Sequence, residues 1–162
     1  MKQPNKIAKK YHLKVIYDAA HVFGVKYKGK SIAEYGDMSM FSFHATKVFN
    51  TIEGGGLVYK DKELQQKINQ YKNFGILDQE HVVDVGINAK MNEFCAAMGI
   101  CNLRHIDDEL AKRQIVYERY YERLKDIKGL KISDIQDNAD FNYAYFPIVF
   151  NKDVFGKSRD TT

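Results

Sequence analysis

Cysteine, proline and long apolar runs are all scarce in this sequence, and each shortage removes a class of protein. Two cysteines, Cys95 and Cys101, are too few among 162 residues for a disulfide framework; such sparing use points to a reducing, cytoplasmic setting. The longest apolar runs extend over only a few residues, far short of the roughly 20 needed to cross a bilayer, so no membrane association is expected. The basic opening Met1-Lys2-Gln3-Pro4-Asn5-Lys6 has no apolar stretch behind it and does not read as a secretory signal. Pro4 and Pro147 are the only prolines, and neither an internal repeat nor a low-complexity tract occurs. His12, His21, His44, His81 and His105 show no metal-ligand spacing with the cysteines. Asp134, Asp137 and Asp140 lack the glycine of a calcium-binding loop, so no metal is expected.

What is present has the balance of a globular domain, with 44% hydrophobic and 28% charged residues. The net charge of +4 suggests nucleic acid until it is divided along the chain. Residues 1–30 hold eight lysines against the single acid Asp18, a balance of +7, whereas residues 31–162 hold 17 basic and 20 acidic residues, a balance of −3. The excess falls on a helix and an adjoining turn, the pattern of solvated lysines, and no nucleic-acid partner is expected.

The apolar pattern predicts alternating helices and strands. Ile7 and Tyr11 share one face of a helix over 5–11, which leads into a buried strand at Leu13-Lys14-Val15-Ile16-Tyr17. That is the second half of a βαβ unit whose opening strand is missing, so the chain reads as starting in mid-domain. Residues 25–32 predict a hairpin turned at Lys28-Gly29, and Met38 to Phe43 a second apolar strand. Gly54-Gly55-Gly56 breaks the chain before a third strand, Leu57-Val58-Tyr59, and Asp61 can cap a helix that places Leu64, Ile68 and Tyr71 on one face. Residues 75–91 predict a loop. A long helical pattern follows from Asn92 to about Lys128, with Gly99 or the pair Asp107-Asp108 as its divider and Gly129 as its stop. Cys95 and Cys101 are expected in or near its apolar face. Phe141 to Phe150 predicts a final strand, and Phe155 to Asp160 the approach to another helix.

Two positions carry candidate chemistry. Asp18 closes a strand and is followed by Ala19, Ala20 and His21, and open α/β sheets bind ligands outside the carboxyl ends of their strands. Lys47 follows another strand and is flanked by Ser42, His44 and Thr46. An amine beside apolar surface sheds part of its hydration and becomes a usable nucleophile. Taken singly, each has a plainer reading: a turn-capping aspartate, and a surface lysine with its stem on Phe49. Taken together they suit pyridoxal phosphate, which needs a lysine to hold its aldehyde and an aspartate to keep its ring nitrogen protonated. The same lysine can then shuttle a proton, and a hydroxyl such as Ser42 can donate to the phosphate.

A competing motif is present. Gly24-Val25-Lys26-Tyr27-Lys28-Gly29-Lys30-Ser31 matches the P-loop expression letter for letter. A P-loop joins a strand to a long helix, whereas Gly36 stands five residues beyond Ser31 with another strand behind it. Val25 and Tyr27 alternate with Lys26 and Lys28, which is hairpin patterning.

Several stretches resemble the DegT/DnrJ-type nucleotide-sugar aminotransferases. These are Val15-Ile16-Tyr17-Asp18-Ala19-Ala20-His21, Gly36-Asp37, Phe41-Ser42-Phe43-His44-Ala45-Thr46-Lys47 and Glu53-Gly54-Gly55-Gly56. Gly86 to Glu93, Ala96-Ala97-Met98-Gly99 and Asn142 to Ile148 continue the likeness in order. The resemblance implies an α/β fold: the central portion of a fold-type-I (aspartate-aminotransferase) large domain, three-layer αβα, plus the start of the small C-terminal domain. On that basis residues 1–92 belong to the large domain, 93–128 form a connecting helical region, and 129–162 begin the small domain. The family's length implies truncation at both ends.

The resemblance also implies roles. Asp18 pairs with the pyridine nitrogen, His21 sits near the cofactor's phenolic oxygen, Ser42 binds the phosphate, and Lys47 forms the Schiff base. Asn88 reaches the phosphate in a neighbouring subunit, which implies a homodimer with shared sites, while Lys90 stands where many members have arginine. Retention of Lys47 argues for transamination over dehydration. The wording around Ser42 to Gly55 is similar to members acting on dTDP-4-keto-6-deoxyhexoses. The implied product is the 4-amino-4,6-dideoxy sugar nucleotide of surface polysaccharide or O-antigen biosynthesis, with glutamate as donor. The alternative is an inactive aminotransferase fragment acting as a subunit-interaction module.

Overall fold

The computed structural model describes residues 2–158. The chain opens with helix α1 (Lys2–Tyr11) and strand β1 (Ile16–Asp18), followed by a hairpin of β2 (Lys26–Tyr27) and β3 (Lys30–Ser31). Strands β4 (Met38–Ser42) and β5 (Gly55–Tyr59) come next, then helices α2 (Leu64–Tyr71), α3 (Glu93–Leu103) and α4 (Ile106–Leu124). Strands β6 (Leu130–Ile132), β7 (Ala139–Asp140) and β8 (Ile148–Phe150) lead to the short helix α5 (Lys152–Phe155).

The sheet that matters for function runs β1-β4-β5, with β1 parallel and β5 antiparallel to β4. Register puts Ile16 opposite Met38 and Asp18 opposite Met40. Strand alternation then sorts the faces. Tyr17, Ser39 and Phe41 point one way, into a core where Ser39 and Phe41 are buried with Ala19, Val25 and Ile32. Ile16, Asp18, Met40 and Ser42 point the other way, and that face is open, with Ile16 and Met40 both exposed. The predicted first strand is therefore shorter and less buried than expected. The segment before it is held by a side chain instead: the Val15 amide donates to the Asp37 carboxylate at 2.7 Å, while the Asp37 amide donates to the Val15 carbonyl at 2.8 Å.

The hairpin forms as predicted. Lys28 and Gly29 both take positive φ, 53° and 73°, the pair of left-handed residues that a two-residue turn of the right twist demands. Ser31 and Glu34 then form a capping box on a single 3₁₀ turn, Ile32–Glu34, so no long helix follows and the P-loop reading falls. Gly55 and Gly56, expected as a break, lie inside β5. A Cβ on Gly55 would stand 2.9 Å from the Phe41 carbonyl, so the missing side chain permits the pairing.

The long helical pattern divides at Arg104-His105, not at Gly99 or Asp107. Gly99 sits within α3, where it lets Thr51 approach: a Cβ there would meet the Thr51 methyl at 2.8 Å. Asp107, Asp108 and Glu109 instead fill the first turn of α4, where negative charge suits the helix N-terminus. Helix α4 ends at Leu124; Gly129 (φ 92°) turns the chain into β6. Only Ile148–Phe150 of the predicted last strand is a strand, because Asn142 and Tyr143 (φ 53°) are drawn into other bonds described below. Gly156 adopts the left-handed conformation and stops α5, and Arg159-Asp160 of the predicted following helix lie outside the described residues. In α1, Ala8 is the buried residue, while Ile7 and Tyr11 are exposed. Cys95 is buried and Cys101 exposed, and both are free. Among the described residues, no helix is long and apolar enough to cross a membrane.

Candidate active site

Lys47 lies just past the carboxyl end of β4, on a segment fixed from both sides. Its amide donates to the His44 carbonyl at 2.9 Å, closing a tight turn. Two residues on, Phe49 is buried, stacked on Phe23 at 4.4 Å and edge-on to Phe43 at 5.0 Å. Beyond it the Asn50 carbonyl accepts from the Asn102 side chain of α3, and Thr51 is buried against the same helix. An aromatic wedge and a helix thus hold the backbone and leave the amine half-exposed at the surface. The Lys47 amine makes no ion pair among the described residues; its neighbour is His21, with Nζ 3.3 Å from Nδ1 and 3.5 Å from Nε2. An amine without a carboxylate partner keeps its capacity to attack a carbonyl or carry a proton.

Asp18 and Ser42 share the open face of the sheet, Asp18 at the end of β1 and Ser42 at the end of β4. One Asp18 oxygen accepts from the Ala20 amide at 3.1 Å, an Asx turn that sends the chain toward His21. Its other oxygen makes no hydrogen bond among the described residues and is left for a ligand. Ser42 Oγ accepts from the His44 amide at 3.4 Å, which leaves its hydroxyl proton to give. The structure therefore brings Lys47 and His21 into contact and sets Asp18 and Ser42 at adjacent strand ends. Asn88 is not joined to them by any hydrogen bond among the described residues. It lies in the loop after α2, bridged to Asn73, and its side-chain Oδ1 accepts from the Lys90 ammonium at 2.7 Å. The Lys90 ammonium stands 4.4 Å from the centre of the Phe74 ring.

Two residues that sequence reasoning did not single out complete the cleft. Asn142, only 2% exposed, donates its two amide protons to the carbonyls of His21 and Phe23, both at 2.9 Å. Its own side-chain oxygen accepts from the Ala144 amide at 3.2 Å. Tyr145 then reaches His21, hydroxyl to Nδ1 at 3.0 Å, with the rings edge-on at 5.2 Å. Ala20, His21, Phe23, Thr46, Lys47, Val48, Ala144 and Tyr145 line the resulting cleft. Both lie in the family-like stretch from Asn142 to Ile148, but nothing local gives them a role, since their partners are 121 and 124 residues away.

The donor set suits pyridoxal phosphate in kind. It offers a primary amine with no carboxylate partner among the described residues, a carboxylate with one oxygen left for a ring N–H, and a hydroxyl for a phosphate, all near the carboxyl ends of β1 and β4.

The DegT/DnrJ/EryC1/StrS aminotransferase family model matches residues 1–161. The dTDP-4-amino-4,6-dideoxy-D-glucose transaminase of Shigella dysenteriae is 47% identical over 154 residues, 95% of this chain and 42% of that protein. Its namesake in Escherichia coli is 42% identical over 158 residues, 96% of this chain and 42% of that protein. The chain thus spans less than half the length of these relatives. Among solved structures, DesI in the presence of its TDP-sugar product superposes with a TM-score of 0.89 at 33% identity, covering 98% of this chain and 41% of that one. Helicobacter pylori PseC, an aminotransferase involved in pseudaminic acid biosynthesis, gives 0.84 at 28% identity, covering 93% and 42%.

Proposed function

This chain belongs to the DegT/DnrJ/EryC1/StrS aminotransferase family, and from that premise we propose that it serves pyridoxal-phosphate-dependent transamination of a nucleotide-linked keto sugar. The substrate is a dTDP-4-keto-6-deoxyhexose, aminated at C4 with glutamate as donor, in the cytoplasm and toward surface polysaccharide. The relatives named as dTDP-4-amino-4,6-dideoxy-D-glucose transaminases support that choice. The observation that carries the reading is the Lys47 amine, free of any carboxylate among the described residues and seated against His21 at the end of β4.

Pyridoxal phosphate, when bound, supplies the electron sink that makes the proton on the amine-bearing carbon labile. The chain's own residues do the rest. Lys47 is the residue that would hold the cofactor's aldehyde, and its free amine would take and return a proton. The Asp18 carboxylate would accept the ring N–H, Ser42 Oγ would donate to the phosphate, and His21 would orient groups beside Lys47. Asn88 serves the phosphate in a neighbouring subunit, which makes the working unit a homodimer. Residues 1–92 act as part of the large domain, 93–128 as connecting helices, and 129–162 as the start of the small domain.

The test is chemical trapping. Incubation with the cofactor should give a visible absorbance band that borohydride converts to a stable adduct on Lys47. Lys47→Ala should abolish the adduct; an adduct that survives the substitution overturns the assignment. A second reading, a non-catalytic subunit-interaction module, is favoured by the many large apolar side chains left exposed, Val85 at 87% and Phe94 at 84% among them. It expects no adduct, and solubility only beside a partner.

A further inference from the structure

We propose that Tyr145 is a positioning residue that fixes the tautomer of His21, with Asn142 as the clamp that holds it in place. The use of that tautomer by a cofactor rests on the function proposed above; the tautomer itself does not.

A neutral imidazole has one N–H and one acceptor lone pair, both in the ring plane and pointing well apart. A group lying along one nitrogen's in-plane direction is out of reach of the other. The Lys47 amine is almost equidistant from the two, at 3.3 and 3.5 Å, so it is aligned with neither. It rests beside the ring without occupying the lone pair. Tyr145 Oη, at 3.0 Å from Nδ1, is the group placed to take it. A phenol is a better donor than acceptor, since its oxygen lone pair is shared with the ring, and an imine nitrogen is a strong acceptor. The matched arrangement is O–H to Nδ1, which leaves the His21 proton on Nε2.

Holding a tyrosine that is 56% exposed in one place needs an anchor, and Asn142 supplies it. Its carboxamide spends both protons on the carbonyls of His21 and Phe23 and its oxygen on the amide of Ala144. The backbone carrying His21 and the backbone carrying Tyr145 are thus tied through one buried side chain. With both protons and its oxygen engaged, three of the four bonds an asparagine side chain can make, that side chain has little freedom to turn. The consequence is directional: His21 keeps its Nε2 proton as a donor, and Lys47 keeps its protons for other work.

The test is two-bond proton–nitrogen correlation spectroscopy on the chain labelled with ¹⁵N-histidine, at mildly alkaline pH, with His21→Gln to assign the signal. Wild-type His21 should read predominantly as the Nε2–H form. In Tyr145→Phe, His21 alone should fall back to the weaker Nε2–H preference of an unconstrained imidazole, with a measurable Nδ1–H fraction, while the other four histidines keep their patterns. Asn142→Ala, which keeps the hydroxyl but frees its segment, should produce the same fall. A wild-type His21 carrying its proton on Nδ1 overturns the proposal, whatever the variants do. So does a His21 unchanged in Tyr145→Phe. No cofactor is needed, so a failed borohydride adduct leaves this result standing and counts only against the function proposed above.

Discussion

Asp37 shows how much one side chain does at the entrance to the sheet. Its carboxylate accepts the Val15 amide, and Lys14 stands 3.7 Å away. The Val15 hydrogen bond is the largest influence and holds its pKa below the ordinary aspartate value of 3.8; desolvation opposes it, and Lys14 and Lys60 add smaller lowering effects. A carboxyl whose folded pKa is depressed adds stability that is fully present above the unfolded value. That stability is lost as pH falls through the folded one. Acidification below about pH 4 should therefore lower the melting temperature of the wild type more steeply than that of Asp37→Asn, whose amide does not titrate. Thermal melts at a series of acid pH values check this; parallel curves would remove Asp37 from the account. The sequence placed Asp37 beside Gly36 in a family-like stretch but not against Val15, because the bond spans 22 residues and has no periodicity to announce it. Asp18, Lys47 and Ser42 were legible, since the strand-end rule needs only local patterning. Asn142 and Tyr145 were not, since their roles exist only once the two halves of the chain meet.

At the scale of elements, what local chemistry dictates could be read and what tertiary contact imposes could not. The β2–β3 hairpin is the clearest local case. Gly29 has no atom within 4 Å of a would-be Cβ, so Gly29→Ala tests backbone strain alone. It should cost about 1 kcal/mol, the penalty of a left-handed conformation for a residue with a side chain, read by urea denaturation. Lys30→Ala, on the same exposed turn, should change stability by less than about 0.5 kcal/mol. Neither variant should alter ATP binding, because the wild type should show none by calorimetry. Saturable binding lost in Lys30→Ala would restore the P-loop reading. The break between α3 and α4 is the opposite case. Residues 104 and 105 carry no glycine or proline, and the helical pattern runs straight across them. Residues 141–147 read as strand on apolar content, yet Asn142 commits its amide group to the loop of His21 and Phe23, and only β8 remains in a ladder.

The whole molecule exposes 12479 Å². A compact globular protein of 18.8 kDa exposes about 8,300 Å², so the surface is about half as large again. The excess is apolar where the sheet is open, at Ile16, Met40 and Leu57, and along Val82, Val83, Val85 and Ile87 and helix α3. Helix α3 reads Glu-Phe-Cys-Ala-Ala-Met-Gly-Ile-Cys-Asn-Leu, apolar on nearly every side, the composition of a helix covered all round. Yet Phe94, Ile100 and Leu103 are exposed. An unfolded chain of this mass exposes about 27,000 Å², so folding alone buries about four-fifths of what a compact domain of equal mass would bury. The dependence of unfolding free energy on denaturant scales with that area. The monomeric chain should therefore give a urea m-value about a fifth below that of a compact domain of its size, and should bind a hydrophobic dye strongly while folded. Covering the open faces should reverse both, so dye binding should fall and the m-value rise as protein concentration drives subunits together. A monomer with an ordinary m-value and no dye binding would mean the chain covers these faces by itself. It would remove the support that exposed apolar surface gives to the subunit-interaction reading, and leave the homodimer to rest on Asn88 alone.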